Sequence, residues 1–216
     1  MKYFIDTEFK EYLKQHRVFG IPVGYPTPTI DLISIGIVCE DGRSYYALNK
    51  ECDLNEICED EWLWEHVITP IYQEHVHGDA RNYVGLNDEN VKAVFNSFGR
   101  TKKQIREEIK QFIYLTSFIN NPESIVNWEQ VKGSFPIDFY GYFADYDWVV
   151  FCQLFGRMLD LPKGFPMYCR DLKQMMDDYG LTKEWKQKNC PDPKGEHNAL
   201  VDAKWNLDLY NKIILT

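Results

Sequence analysis

The period of the hydrophobic pattern changes several times along the 216 residues. The chain opens on KYFIDTEF, residues 2–9, an apolar run with the look of a buried strand that ends in two acids, Asp6 and Glu8. Residues i and i+2 of a strand project to one face, so the two carboxylates stand side by side, where they repel each other and resist losing water. Residues 10–29 begin polar and helix-like, then carry Gly20, Pro22, Gly24, Pro26 and Pro28, which interrupt regular structure and read as a long loop. From Ile30 to Cys39 β-branched residues dominate, Asp41-Gly42 supplies a turn, and Ser44 to Leu48 returns, the signature of a hairpin.

Beyond the hairpin the period lengthens. Residues 51–82 are mixed and acidic, with Trp62 and Trp64, and predict short helices; the stretch ECDLNEICEDEW reads as solvated surface. Thr101 and Gln104 make a capping-box pattern ahead of Ile105, Ile109, Phe112 and Ile113, which predicts a helix. IDFYGYF (137–143) predicts a strand and DYDWVVFCQLFGRM the helix after it. FPMYCRDL predicts a short strand entering another helix with Asp171 near its start. HNALVDAKWNLDLYNKIIL predicts a closing helix in which Leu209 and Ile213 share a face with Asp202. No repeat, low-complexity tract or linker interrupts the series, so one α/β domain over residues 1–216 is expected.

Composition narrows the class only slightly. An apolar fraction of 44% and a charged fraction of 26% are those of a globular chain, and no apolar run approaches the length that spans a bilayer. The net charge of −9 provides no global basic field for nucleic acid, yet metal-dependent nucleases gather acids and bring their own dications. The six cysteines show no CxxC pair and are expected as reduced thiols in a reducing compartment. The first strand begins too close to Met1 for a signal peptide to be expected.

The acids carry the chemistry. Asp147 opens a helix whose Phe151, Leu154 and Phe155 lie at i+4, i+7 and i+8, which directs it toward the sheet. Asp202 lies between Ala199 and Ala203, small residues that let a helix approach a sheet closely. Three separated segments thus place carboxylates on core-directed surfaces, and hard oxygen donors converging in this way suit Mg²⁺ or Mn²⁺. A dication between Asp6 and Glu8 would make their juxtaposition tolerable. His75 and His77 form an H-x-H, but without a third ligand they are expected in a solvated loop. Lys10, Lys14, His16 and Arg17 read as a solvated helix face or as phosphate contacts, and Glu196 as surface.

DTEF resembles the first motif of the DEDDh exonuclease superfamily. YFADYDWVVFCQLFG resembles the second, and HNALVDA the third, His-x-Ala-x-x-Asp, through His197, Ala199 and Asp202. IDLISIGIVCEDGRSYYALN, YDWVVFCQLFG and HNALVDAKWN resemble more closely the exoribonuclease AS family of bacterial and phage 3′–5′ exoribonucleases, the likeness spanning residues 1–9 and 30–212. The resemblance implies an α/β, ribonuclease-H-like fold: a mixed central β-sheet flanked by α-helices. It also implies two Mg²⁺ (or Mn²⁺) ions held by Asp6, Glu8, Asp147 and Asp202, one activating a water and the other stabilising the leaving 3′-oxygen. His197 would be the general base, and Thr7 and Phe9 would bind substrate, Phe9 by stacking on the terminal base. The implied substrate is single-stranded RNA, hydrolysed from its 3′ end to nucleoside 5′-monophosphates. The reduced thiols and the lack of a spanning run imply the cytoplasm, away from membranes, and no motif fixes the assembly, for which a homodimer is one option.

Two features depart from that pattern. Residues 10–29 are longer than the usual connection after the first motif, and the second motif offers both Asp145 and Asp147, of which the Tyr146-Asp147 pairing selects Asp147. A DNA exonuclease of the same superfamily fits the same motifs, because recognition of the 2′-OH depends on contacts no motif places. A non-catalytic nucleic-acid-binding module, or an oligomerisation domain, would have no reason to keep these five residues together.

Overall fold

The computed structural model describes residues 1–76, 85–119 and 136–216. Its centre is a mixed five-stranded sheet. The strands are β1 (Lys2–Lys14), β4 (Thr27–Cys39), β5 (Ser44–Leu48), β6 (Asp138–Gly141) and β7 (Arg170–Asp171), in the order β5-β4-β1-β6-β7. The pairs β1–β4 and β4–β5 are antiparallel, whereas β1–β6 and β6–β7 are parallel. A turn with Gly42 at φ 91° closes β4 onto β5, at the position where Asp41-Gly42 predicts it.

Helices cover both faces, as strand alternation requires. Tyr3, Ile5, Ile35, Ile37 and Phe139 point to one face, where α5 (Lys102–Ile119) brings Ile105, Ile109 and Ile113 and α6 (Asp145–Phe155) brings Trp148 and Phe151. Phe4, Val38 and Tyr140 point to the other, against Leu172 and Met176 of α7 (Leu172–Asp178) and Ala203, Leu209 and Ile213 of α9 (Ala199–Ile214). A short helix, α8 (Lys183–Asn189), lies between α7 and α9. The capping box forms: Thr101 N donates to Gln104 Oε1 at 2.9 Å and Gln104 N to Thr101 Oγ1 at 3.1 Å. Asp171 caps α7, accepting from Gln174 N at 2.9 Å, and also accepts from Ala144 N at 2.8 Å, which ties the entrance of α6 to β7.

Three readings of the sequence change. Residues 10–29 are not a loop with a helical start. Lys10 to Lys14 continue β1, paired with Thr27 to Asp31 of β4, and β2 (Arg17–Val18) and β3 (Ile21–Pro22) close the arm as a small hairpin. The acidic stretch 51–62 is not uniformly solvated. It enters α1 (Leu54–Cys58) and α2 (Glu61–Leu63), and Cys52, Leu54 and Ile57 form a second core with Ile33 and Leu48. That core continues through a π-turn (Trp64–Ile68), α3 (Thr69–Val76) and α4 (Asp88–Phe98). Finally, His75 lies on α3, its ring 5.0 Å from Phe98, rather than in a loop, while His77 falls outside the described residues.

Candidate active site

The site forms where β6 stops beside β1. Pairing between the two strands ends at Phe4–Tyr140, which leaves the backbone groups of β1 beyond that point without a ladder partner on this edge. Two side chains take them. Asn206 Nδ2 donates to Ile5 O at 3.0 Å, and Thr7 N donates to Asp147 Oδ1 at 2.8 Å. The Thr7 hydroxyl donates to the same oxygen at 2.6 Å, so Thr7 serves as the clamp of Asp147. Thr7 also lines the cleft, with a side chain 5% exposed and a hydroxyl committed to Asp147. Asp145 is exposed at the start of α6 while Asp147 is buried, which separates the two acids of that motif.

Asp202 arrives from the opposite element. Gly36 of β4 faces α9 so tightly that a Cβ there would lie 2.1 Å from the carbonyl oxygen of Ala199 and 2.6 Å from Cα of Leu200. Ala199 and Ala203 are both fully buried, so small residues on both surfaces bring the first turn of α9 down to the sheet. Asn198 caps the helix, accepting from Leu200 N and Val201 N at 3.1 and 3.2 Å. A glycine inside the β-branched run LISIGIV is the signal of close backbone approach that a reading of the acids alone passes over.

The outcome is a compact acidic centre. Carboxylate oxygens of Asp6, Glu8 and Asp202 lie within 4.8 Å of one another. Asp147 stands outside that trio yet close enough to bear on it. Burial raises the Asp6 carboxyl well above its usual range, and the charges of Asp147, Glu8 and Asp202 add to the effect. Burial, followed by Asp202 and Asp147, pushes Glu8 up to about 8. Burial also lifts Asp147 and Asp202 to about 6, against hydrogen bonds from Thr7 and from His197 N respectively. Among the described residues no lysine or arginine forms an ion pair with any of the four. Buried or partly buried carboxylates without a counter-charge, three of them converging, form a donor set that could hold a hard dication.

The four acids line a cleft of about 660 Å³ that also contains Phe9 and His197. Phe9 is half-buried beside Tyr146, ring centroids 5.9 Å apart, and so offers only part of its surface to the cleft. Lys186, buried against Tyr142 and Trp205, pairs with Asp192, and Trp205 Nε1 donates to Pro191 O at 2.9 Å. These contacts anchor the segment that leads to His197. The His197 N–H donates to Asp202 Oδ2 at 2.8 Å. Lys10 is drawn into an ion pair with Asp60, the N-cap of α2, while Lys14 and Arg17 lie exposed on the arm.

Among the described residues, no helix is long and apolar enough to cross a membrane. Two curated relatives from Mycobacterium tuberculosis strains are named 3′-5′ exoribonuclease MT2234.1 and 3′-5′ exoribonuclease Rv2179c. Each is 29% identical over 216 residues, an alignment covering 100% of this chain and 95% of the relative. The family described as the 3′-5′ exoribonuclease Rv2179c-like domain matches residues 23–214, a span that holds Asp147, His197 and Asp202 and begins after Asp6 and Glu8. With a mixed five-stranded sheet flanked by helices and a family match over most of its length, the chain belongs to the Rv2179c-like exoribonuclease family.

Proposed function

We propose that the chain is a metal-dependent 3′–5′ exoribonuclease with the DEDDh arrangement, hydrolysing single-stranded RNA from the 3′ end to nucleoside 5′-monophosphates. The observation that carries this reading is the convergence of Asp6, Glu8 and Asp202 oxygens within 4.8 Å at the end of a strand, with no cation paired to them among the described residues. These three, with Asp147 beside them, would hold Mg²⁺ or Mn²⁺, two ions in this reading. When bound, the dications offset charge developing at the phosphate and lower the pKa of a water. His197 would take the proton of the attacking water, since its ring nitrogens make no hydrogen bond among the described residues. Phe9 would offer its cleft-facing surface to the terminal base. The names of the relatives favour RNA over DNA as substrate.

Two further expectations belong to this reading. The arm exposes Val18, Phe19, Ile21 and Tyr25, which supports a homodimer. All six cysteines are free thiols, which supports a reducing, cytoplasmic setting. The test of function is incubation of 5′-labelled single-stranded RNA and matching DNA with Mg²⁺ or Mn²⁺, and with EDTA. Stepwise shortening of RNA, release of nucleoside 5′-monophosphates and a block by a 3′-phosphate are expected. Hydrolysis in excess EDTA, or cleavage of a circular RNA, would sink the reading. DNA shortened faster than RNA would move it to an exodeoxyribonuclease.

A further inference from the structure

Three rings meet at His197, which lines the cleft, and none of the acids explains them. His66 stacks on Trp62, centroids 4.8 Å apart at 12°, and Trp62 meets the His197 ring edge-on at 4.8 Å and 73°. His66 and His197 are themselves 6.0 Å apart at 84°. His66 Nδ1 lies 3.0 Å from the carbonyl oxygen of Trp62. A carbonyl can only accept, so Nδ1 carries the proton and the imidazole plane is fixed over the indole. Trp62 is 49% exposed, so burial in a core does not account for its position.

The local backbone is built to hold this arrangement. Trp62 is the middle residue of α2, two residues before the π-turn Trp64–Ile68, and Thr69 Oγ1 donates back to Trp64 O at 2.8 Å. A π-turn inserts one residue into the helical register. Val67, Ile68, Ile71 and Tyr72 can therefore pack in the second core while Trp62 and His66 remain against the ring of His197. His197, for its part, has φ 68°, a conformation that a non-glycine residue holds only when its surroundings over-determine it. Its main-chain N–H is committed to Asp202, and the rings of Trp62 and His66 stand against its imidazole.

We propose that Trp62 is the positioning residue of His197, setting the direction of the imidazole toward the carboxylate centre, with His66 as its brace. The proposal rests on the exoribonuclease reading above, in which His197 handles the water's proton. It differs from a base-stacking role in what it predicts. One face of the indole is covered by His66, and His197 meets the indole at a steep 73°, so loss of Trp62 should disturb turnover rather than substrate capture.

The experiment is a double-mutant cycle on Mg²⁺-dependent hydrolysis of a single-stranded RNA oligonucleotide, reading kcat and KM separately for Trp62→Ala, His197→Ala and the pair. Misplacing a catalytic group by about 1 Å can cost roughly 100-fold, so Trp62→Ala should lower kcat by roughly 10- to 100-fold with little change in KM. Trp62→Phe, which keeps a ring edge, should recover most of that loss, and His66→Ala should show a smaller loss of the same kind. In the His197→Ala background, Trp62→Ala should cost almost nothing further. A Trp62→Ala defect confined to KM, or one that persists in full without His197, overturns the proposal and leaves the exoribonuclease reading standing. If His197→Ala itself turns over like wild type, the general-base role fails, and this proposal fails with it.

Discussion

Thr7 sits between two acids whose side chains leave the other face of the strand, and it acts on a third. Its N–H and hydroxyl converge on one oxygen of Asp147. A hydrogen bond to a charged group contributes about 1.5–3 kcal/mol, so Thr7→Val, which keeps the shape and the N–H, should slow single-turnover cleavage by roughly 10-fold or more, and Thr7→Ser should restore it. Wild-type rates in Thr7→Val would show that the backbone N–H alone suffices. His197 and Asp202 separate differently. Asp202→Asn should lose Mn²⁺ affinity in a calorimetric titration, whereas His197→Ala should keep the metal and lose about 10²- to 10⁴-fold in turnover. His197→Ala with weakened Mn²⁺ binding would make His197 a ligand instead of a base. Asp6 and Glu8 were legible from a two-residue period, and Asp202 from its alanine neighbours. The clamp by Thr7 was not, because it depends on where β6 leaves β1, a property of long-range pairing that no local pattern contains.

At the scale of elements, the arm and α9 show what sequence patterns carry and what they miss. KEYLKQ is a run of good helix formers and reads as helix, yet it pairs with β4 residue by residue out to Lys14 opposite Thr27. A ladder that carries on from the buried part of β1, past a register shift between Glu8 and Phe9, outweighs a propensity preference of a few tenths of a kcal/mol per residue. The Pro and Gly residues that suggested a break instead occupy the far strand and the turns of the arm, Gly20 and Gly24 at φ 80° and 71°. By contrast, the capping box of α5 and the cap of α7 were readable because their signals are local. Gly36 is the element-scale test. A methyl group there cannot fit with α9 in place, so Gly36→Ala must push the helix outward and carry Asp202 away from Asp6 and Glu8. Overpacking of this kind costs about 1–3 kcal/mol, which for a chain of this size lowers Tm by roughly 2–12 °C. The Mn²⁺ affinity should fall in the same variant. An unchanged Tm with full metal binding would mean that α9 is not fixed by this contact.

Across the whole molecule the acidic centre should set how stability depends on pH. Several carboxylates outside the site, Glu40, Asp41 and Asp60 among them, have pKa values lowered by their hydrogen-bonded partners, and their contribution is present at neutral pH and lost in acid. The site runs the other way. Glu8 is raised to about 8, Asp147 and Asp202 to about 6, and Asp6 well above its ordinary value, so each binds its proton more tightly folded than unfolded. The stability they contribute is therefore fully present below the unfolded carboxylate range near pH 4 and is lost as pH rises through about 6 and then about 8. Without metal, the wild type should lose Tm across that window, and Glu8→Gln, which cannot ionise, should lose less and exceed wild type at pH 8. Adding Mn²⁺ at pH 8 should reverse the order, since a ligand that binds only the folded state stabilises it in proportion to its affinity, and the glutamine is the poorer ligand. Thermal unfolding of both proteins from pH 5 to 9, in EDTA and in Mn²⁺, decides it. Parallel profiles with no response to the metal would mean that the four carboxylates are not the centre of strain the fold makes them, and that a dication is not what relieves it.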